Sequence, residues 1–541
     1  MRRTGRCFAS ILPERRAKPP WLGYSRVMLR SVFTVGGWTM ASRILGFARD
    51  MLIAAKLGAG PLADAFFVAL RLPNLFRQLF GEGAFNAAFV PAFAGAYAVE
   101  GPARARALAN GLAALMTLFL SGLVLLGILF MPQLLWVLAP GFQDGDSRLA
   151  LAVELTRITF PYLLFICPAA LVSGVLNGMD RFAVPAAAPV LFNLALMGAL
   201  LGLTPFVATP AHALAFGVAA AGVMQLALLL GAARLAGMPI SPIGRPRLTP
   251  EIRAVLRRMG PGLVGAGVTQ INLAIGIIIA SLLPAGAVSY LYYADRVAQL
   301  PLGVIGAAIG TALLPLLARH VRGARPLSAH RAQNRAVELS LAFALPAAAA
   351  MIVLADPIVT TLFQRGAFGA EAAAATAAAL AAYAAGLPGF VLVKALAPGF
   401  FARGDTATPV KVAAFVVALN LALNLGLTTV FGHVGIALAT SLSAAVNALG
   451  LAMLLARRGQ LRLDRRLRRA APRLMLAALV MAAILLAGAA WFPDSGPLAR
   501  ALSLAALVGL GLASYFGLAQ AIGALDLREA ARLLRRRSGG A

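Results

Sequence analysis

The sequence predicts an all-α polytopic membrane protein: about fourteen transmembrane helices, forming two six-helix lobes related by a parallel repeat, plus two extra C-terminal helices. The first observation behind this is composition. The 541 residues are 60% hydrophobic and 12% charged, with mean hydropathy +0.84, more apolar surface than a water-soluble core can hide. The second is that apolar runs of about 20 residues, the length that crosses a hydrocarbon core as a helix, recur from Ser31 to Gly523 with short polar breaks. The third is an internal duplication.

The expected spans are 31–57, 61–96, 107–130, 149–176, 184–205, 211–234, 256–283, 287–318, 335–355, 371–401, 409–430, 434–456, 472–491 and 499–523. Val90-Pro91 near the end of span 2 matches Leu314-Pro315 near the end of span 8, and Pro185 matches Pro409, both at an offset of 224 (315 − 91 and 409 − 185). Later, His212, Gln225 and Gly237 parallel His433, Asn447 and Gly459. Six spans repeat as six, an even number, so both copies enter the membrane in one orientation, and a cleft between such lobes is the usual site of alternating access. The expected divisions are 1–27 as a cytoplasmic tail or misassigned start (Met28 opens the apolar pattern), 28–240, 241–460, and 461–541 for spans 13 and 14 with a basic tail.

A formal charge of +29 raises the question of nucleic acid, and the position of the arginines answers it. They gather in alternate connections: Arg104 and Arg106; Arg245, Arg247, Arg253, Arg257 and Arg258; Arg319, Arg322, Arg325 and Arg331; Arg457 through Arg469; and Arg535 to Arg537. The opposite connections hold Asp144, Asp146, Arg148 and Asp494, and few other charges. This is the positive-inside pattern. It sets topology at an anionic membrane surface, argues against nucleic acid, and places both termini in the cytoplasm. Cys7 and Cys167 form no disulfide framework, and the N-terminus lacks a signal peptide's apolar core.

Charges inside the spans carry the functional signal, because an ionised group at mid-bilayer costs at least ~2.5–3.5 kcal/mol and needs a partner, water or a substrate. Span 1 contains Arg43, Arg49 and Asp50; span 2 contains Asp64, Arg71, Arg77 and Glu82; span 8 contains Asp295 and Arg296; span 10 contains Lys394. On a helix advancing about 100° per residue, Arg43, Gly46 and Asp50 share a face, with Arg49 beside it. Asp64, Arg71, Gln78 and Glu82 form a second stripe, with Arg77 off it. Pro73, Gly81 and Gly83 can bend span 2. Six cations against four acids favour an anionic substrate, and the planar fork of arginine suits phosphate. Arg43, Arg49, Arg71, Arg77, Arg296 and Lys394 are the candidates for substrate binding, and Asp50, Asp64, Glu82 and Asp295 those for ion pairing or gating.

Catalytic constellations are missing from the pattern. His212, His320, His330 and His433 are scattered without H-x-x-x-H spacing or cysteine partners, which points to no metal site. No Walker motif occurs, so transport needs an ion gradient, the membrane potential or the substrate's own gradient.

Ser42-Arg43-Ile44-Leu45-Gly46-Phe47-Ala48-Arg49-Asp50, Gly58-Ala59-Gly60, Asp64-Ala65-Phe66-Phe67-Val68, Leu72-Pro73-Asn74-Leu75, Gly81-Glu82-Gly83-Ala84-Phe85 with Phe89-Val90-Pro91, Tyr292-Tyr293-Ala294-Asp295-Arg296 and Lys394-Ala395-Leu396-Ala397-Pro398-Gly399-Phe400 closely resemble the MurJ/MviN family of lipid II flippases. The resemblance runs from about Met28 to the last span, and ordered blocks of this length are more specific than one motif. It implies a multidrug/oligosaccharidyl-lipid/polysaccharide exporter fold, a V of two lobes with spans 13 and 14 lining a groove for the lipid tail. It implies a transporter rather than an enzyme, without cofactor, that carries lipid II from the cytoplasmic to the periplasmic leaflet of the bacterial inner membrane in peptidoglycan biosynthesis.

Carried over from the family are Arg43, Arg49, Asp50, Asp64, Arg77 and Arg296, with Arg71 standing where relatives often have lysine. Gln78 and Gln299 replace charges found in relatives. Lipid II and membrane lipids are the expected partners, with the cell-wall synthesis machinery as a further candidate. The alternative is an exporter of another polyprenyl-linked saccharide, or a drug or ion antiporter of the same superfamily; such antiporters usually have twelve spans and less cationic cavities. A scaffold or glycosyl-transferring enzyme would need a large soluble domain or an acid or metal site in the outer loops, and neither is legible.

Overall fold

In hydrocarbon every backbone N–H and C=O must be satisfied within its own segment, and an α-helix does this locally. The computed structural model describes residues 21–80, 84–142, 147–244, 246, 248–493 and 496–525, and among these residues no strand forms. The first lobe comprises α1 (Trp21–Leu57), α2 (Pro61–Phe80), α3 (Ala84–Val99), α4 (Pro102–Leu129), α5 (Met131–Leu138), α6 (Ser147–Thr159), α7 (Leu163–Gly178), α8 (Ala183–Gly202) and α9 (Pro210–Leu235). The second comprises α10 (Pro250–Ser281), α11 (Ala287–Arg322), α12 (Pro326–Val353), α13 (Ala355–Phe363), α14 (Ala370–Phe401), α15 (Ala407–Phe431) and α16 (His433–Arg457). The extra pair is α17 (Arg465–Ala489) and α18 (Pro497–Ala521).

Ten of the described helical segments are long and apolar enough to cross a membrane by length and composition. Fourteen spans are expected from the sequence; the other four correspond to α1, α2 with α3, α10 and α11. Two expected spans are interrupted. Span 2 stops at Phe80 and resumes as α3 at Ala84; Gly81, Glu82 and Gly83 lie outside the described residues. Span 4 is α6 and α7 joined by a single 3-10 turn, Phe160–Tyr162, where Pro161 has no N–H to continue the α-helical ladder. The expected boundary at Met28 falls inside α1, and residues 1–20 lie outside the described residues.

The duplication is visible in a detail that hydropathy does not carry. Each lobe follows its third span with a short helix, α5 and α13, and their first residues are again 224 apart (355 − 131). The main apolar core crosses both lobes, joining Phe66, Leu135, Phe160 and Leu214 to Tyr293, Phe363, Leu380 and Val391. Ile252, Val255 and Met259 of α10 pack into a cluster whose other members come from the first lobe, mainly α3, α4, α7 and α9, so this helix is shared between the lobes.

The extra pair packs on the second lobe through Leu474, Met481, Leu485 and Tyr515 against Ala342 and Leu354. An ionic clamp reinforces it: buried Glu338 of α12 pairs with Arg335 and, at 3.2 Å, with Arg466 of α17.

One set of contacts between the lobes lies at the cation-poor connections. The Asp64 carboxylate accepts the Gly286 N–H at 2.6 Å, the Ser289 N–H at 2.8 Å and the Ser289 hydroxyl. An acid on α2 thus caps the N-terminus of α11, where unpaired amides and the helix dipole favour negative charge. Beside it the Ala367 N–H donates to the Ala55 carbonyl at 2.9 Å. Gly58 has φ +69°, and a Cβ there would stand 2.4 Å from the Ala367 carbonyl oxygen; one on Gly366 (φ +58°) would stand 2.3 Å from the Ala55 carbonyl oxygen. Both positions therefore require glycine for conformation and for space. Gly141 closes in the same way on Ser281, donating its N–H to the hydroxyl at 3.1 Å.

Candidate functional site

Away from that seal a cavity of about 690 Å³ opens between the lobes, lined by α1, α8, α10, α11, α14 and α16. Two smaller cavities adjoin it, of about 350 Å³ and about 240 Å³, and all three share Arg296. Such an interior is where intramembrane charges can be tolerated, since polar groups there face protein or water and not acyl chains.

At its centre one carboxylate holds two guanidinium groups from different lobes. Arg49 donates to Asp50 Oδ1 from Nη2 at 2.7 Å and from Nε at 3.1 Å, and Arg296 Nε lies 3.5 Å from Asp50 Oδ2. The Tyr292 hydroxyl bridges them, donating to Asp50 Oδ1 at 3.3 Å and accepting from Arg296 Nη2 at 3.1 Å. Phe67 stacks on Tyr292 with centroids 3.8 Å apart, and Arg296 lies over the Tyr292 ring at 4.9 Å. Arg49 also donates to Asn193 Oδ1 at 3.0 Å, while the Asn193 amide donates to the Ser42 carbonyl at 2.9 Å. Asn193 sits against Gly46, where a Cβ would stand 3.5 Å from it.

Arg43 on α1 and Lys394 on α14 line the same cavity, both exposed, with no hydrogen-bond or ion-pair partner among the described residues. Asp295 faces the cavity too and accepts from Gln299. Four cations (Arg43, Arg49, Arg296, Lys394) against two acids (Asp50, Asp295) leave a surplus of two positive charges on the lining. Arg71 lies in the 240 Å³ cavity with Asp295 and Gln299, its Nε buried without a hydrogen-bond partner. Arg77 lies in the 350 Å³ cavity with Asn74, Asn86 and Gln225, and its Nε donates to Asn74 at 3.4 Å.

A sequence profile of the family described as lipid II flippase MurJ matches residues 53–505. The probable lipid II flippase MurJ of Rhizobium meliloti (strain 1021) is 44% identical over 519 residues, covering 94% of this chain and 96% of its own. The chain belongs to the MurJ family.

Solved structures agree on the architecture. Lipid II flippase MurJ in an inward closed conformation superposes on this MurJ-family chain with TM-score 0.73 at 24% identity, covering 90% of this chain and 97% of its own. An inward-facing MATE-family multidrug resistance transporter of the MOP superfamily superposes with TM-score 0.64 at 14% identity, covering 79% and 98%. At these identities the likeness speaks for the fold: a membrane protein of many passes built from two helical lobes.

Within the MurJ-family chain the expected residues separate into groups. Arg43, Arg49, Asp50, Asp295, Arg296 and Lys394 line one cavity; Arg71 and Arg77 line the two that adjoin it. Asp64 lies apart from these cavities. It is fully buried at the seal, bonded to backbone amides and a hydroxyl instead of joining a polar stripe with Arg71 and Gln78. Gln78, one of the two neutral departures, accepts from Gln270 of α10 and so ties the lobes without charge.

Glu82 lies outside the described residues. An apolar cavity of about 470 Å³ lies between α11 and α12, lined by Val304, Ile309, Leu316, Leu339 and Phe343, whereas the family resemblance places the tail groove at α17 and α18. Asn193 is a site residue that the charge pattern does not flag. A lone asparagine in the apolar run Leu191-Phe192-Asn193-Leu194 is the signal that points to it.

Proposed function

We propose that this chain is a flippase for lipid II, moving it from the cytoplasmic to the periplasmic leaflet of the bacterial inner membrane by alternating access. The observation that carries the reading is the positive surplus in a cavity walled by both lobes. A polyprenyl pyrophosphate carries one negative charge per phosphorus, and charge-assisted bonds from guanidinium are the strong kind. The basic connections lie on the cytoplasmic side, with both termini, and the Asp64 seal on the periplasmic side. Lipid II then meets Arg43 and Lys394 first, with the Arg49–Asp50–Arg296 group closer to the seal.

Neutralising those cations by substrate weakens the hold of Arg296 on Asp50, a link between the lobes, and this couples loading to rocking. The energy comes from an ion gradient, the membrane potential or the substrate's own gradient, since no Walker motif is present in the sequence. The apolar cavity between α11 and α12 and the α17–α18 pair both give the polyprenyl tail lipid-exposed surfaces, so the tail need not enter the polar cavity. Among the alternatives, a drug antiporter accounts less well for two unpaired cations.

The test is depletion of the protein in cells with no redundant flippase, followed by measurement of lipid II in each leaflet. The expected result is accumulation in the cytoplasmic leaflet with loss of outward exposure. Unchanged exposure rejects the reading.

A further inference from the structure

The two cavity cations without a partner among the described residues, Arg43 and Lys394, come from opposite lobes, yet both rest against the same helix at two positions that lack side chains. A Cβ built on Gly303 of α11 would stand 2.0 Å from Arg43 Nη1 and 3.0 Å from its Cζ. One built on Gly306, a single turn further on, would stand 2.5 Å from Lys394 Cδ and 3.1 Å from Cε. Gly303 lines the cavity beside Gln299 and Arg296. Gly310, one turn beyond on the same helix, meets nothing within 4 Å, so closeness is confined to the two glycines that face a cation.

We infer that Gly303 and Gly306 are positioning residues for substrate: paired notches on α11 that seat the Arg43 guanidinium and the Lys394 side chain where one pyrophosphate can engage both. This rests on the proposed anion site and adds to it the element that sets the geometry. Each cation reaches the cavity on a flexible stem whose ordering opposes binding. Close approach to a bare helix restricts that stem before substrate arrives, and rotamer freedom already restricted need not be lost on binding. Only glycine leaves the space, because the atoms displaced by a methyl belong to side chains, the guanidinium of Arg43 and the aliphatic stem of Lys394, and not to the backbone. Substitution therefore moves the cation and leaves the helix in place.

A helix-interior glycine could instead serve as a hinge, since α11 also holds Pro301 and Pro315. Flipping of lipid II is measured in proteoliposomes over a range of substrate concentrations, for the full chain carrying Gly303→Ala, Gly310→Ala, Arg43→Lys, or Gly303→Ala with Arg43→Lys. Displacing one charge-assisted contact predicts that Gly303→Ala raises KM about tenfold, with kcat little changed, while Gly310→Ala stays near wild type.

Lysine has no fork to collide, so in the Arg43→Lys background Gly303→Ala costs little further, a non-additivity that a double-mutant cycle reads directly. Equal losses from Gly303→Ala and Gly310→Ala, or full additivity with Arg43→Lys, overturn the notch. If Arg43→Ala, measured beside these, leaves KM unchanged, the underlying anion site fails as well; wild-type KM for Gly303→Ala beside a raised KM for Arg43→Ala rejects the notch alone.

Discussion

Arg43→Ala is expected to abolish flipping while leaving the protein as stable as wild type, and Arg49→Ala to lose both. Removing either residue subtracts one positive charge from the same cavity, so a purely electrostatic view expects the same result from both. The structure separates them. Arg43 is exposed and has no partner among the described residues, so no native bond breaks when it is truncated. Arg49 is 7% exposed and makes hydrogen bonds to Asp50 and Asn193.

Its loss leaves a buried carboxylate with Arg296 and Tyr292 only, and strips Asn193 of a donor; breaking a buried pair in this way costs of order 3 kcal/mol. Thermal denaturation in detergent beside a flipping assay checks both halves. A destabilised Arg43→Ala protein, or an Arg49→Ala protein of wild-type stability, contradicts the assignment.

The second large effect is expected at Asp64. Asp64→Ala deletes the acceptor for two backbone N–H groups and one hydroxyl at the start of α11, leaving buried donors unsatisfied on the closed side. Bonds to a charged acceptor are worth about 1.5–3 kcal/mol each, and losing them favours the form open at that end by at least about tenfold. The probe is Thr440→Cys, a residue that lines the cavity, in a Cys7→Ser, Cys167→Ala background, labelled from the periplasmic side by a membrane-impermeant maleimide. Labelling should rise about tenfold with Asp64→Ala. Labelling no faster than in the protein retaining Asp64 would place the seal elsewhere, on the Gly58–Ala367 contact for instance.

Some of this is readable in the amino-acid order alone, and the reason is physical. Hydropathy locates helices because lipid leaves no other way to satisfy the backbone, and charge at membrane depth is so costly that Arg43, Arg49, Asp50, Arg296 and Lys394 stand out as functional. Helical periodicity tells which face a residue shares, but not what that face meets. Asp64 and Arg71 share a stripe on paper, yet one binds the Gly286 amide 222 residues later (286 − 64), at the N-cap of another helix, and the other lies in a cavity wall. Asn193 is harder to see because a neutral amide carries little of the penalty that flags a charge.

Glu338 is hidden because it lies near the beginning of an apolar run and its clamp partner Arg466 is supplied by another helix. Gly303 is invisible for a different reason. A missing side chain has meaning only once the neighbour that uses the space is known.

In the proposed site Arg43 and Lys394, one from each lobe, jointly hold the pyrophosphate of lipid II. The most direct test of this joint hold is the dissociation constant of purified protein for lipid II, measured for wild type and for the Arg43→Ala, Lys394→Ala double variant. Two charge-assisted contacts at about 1.5–3 kcal/mol each predict a loss of at least about a hundredfold. Equal affinity in the two proteins, with both folded, would contradict it.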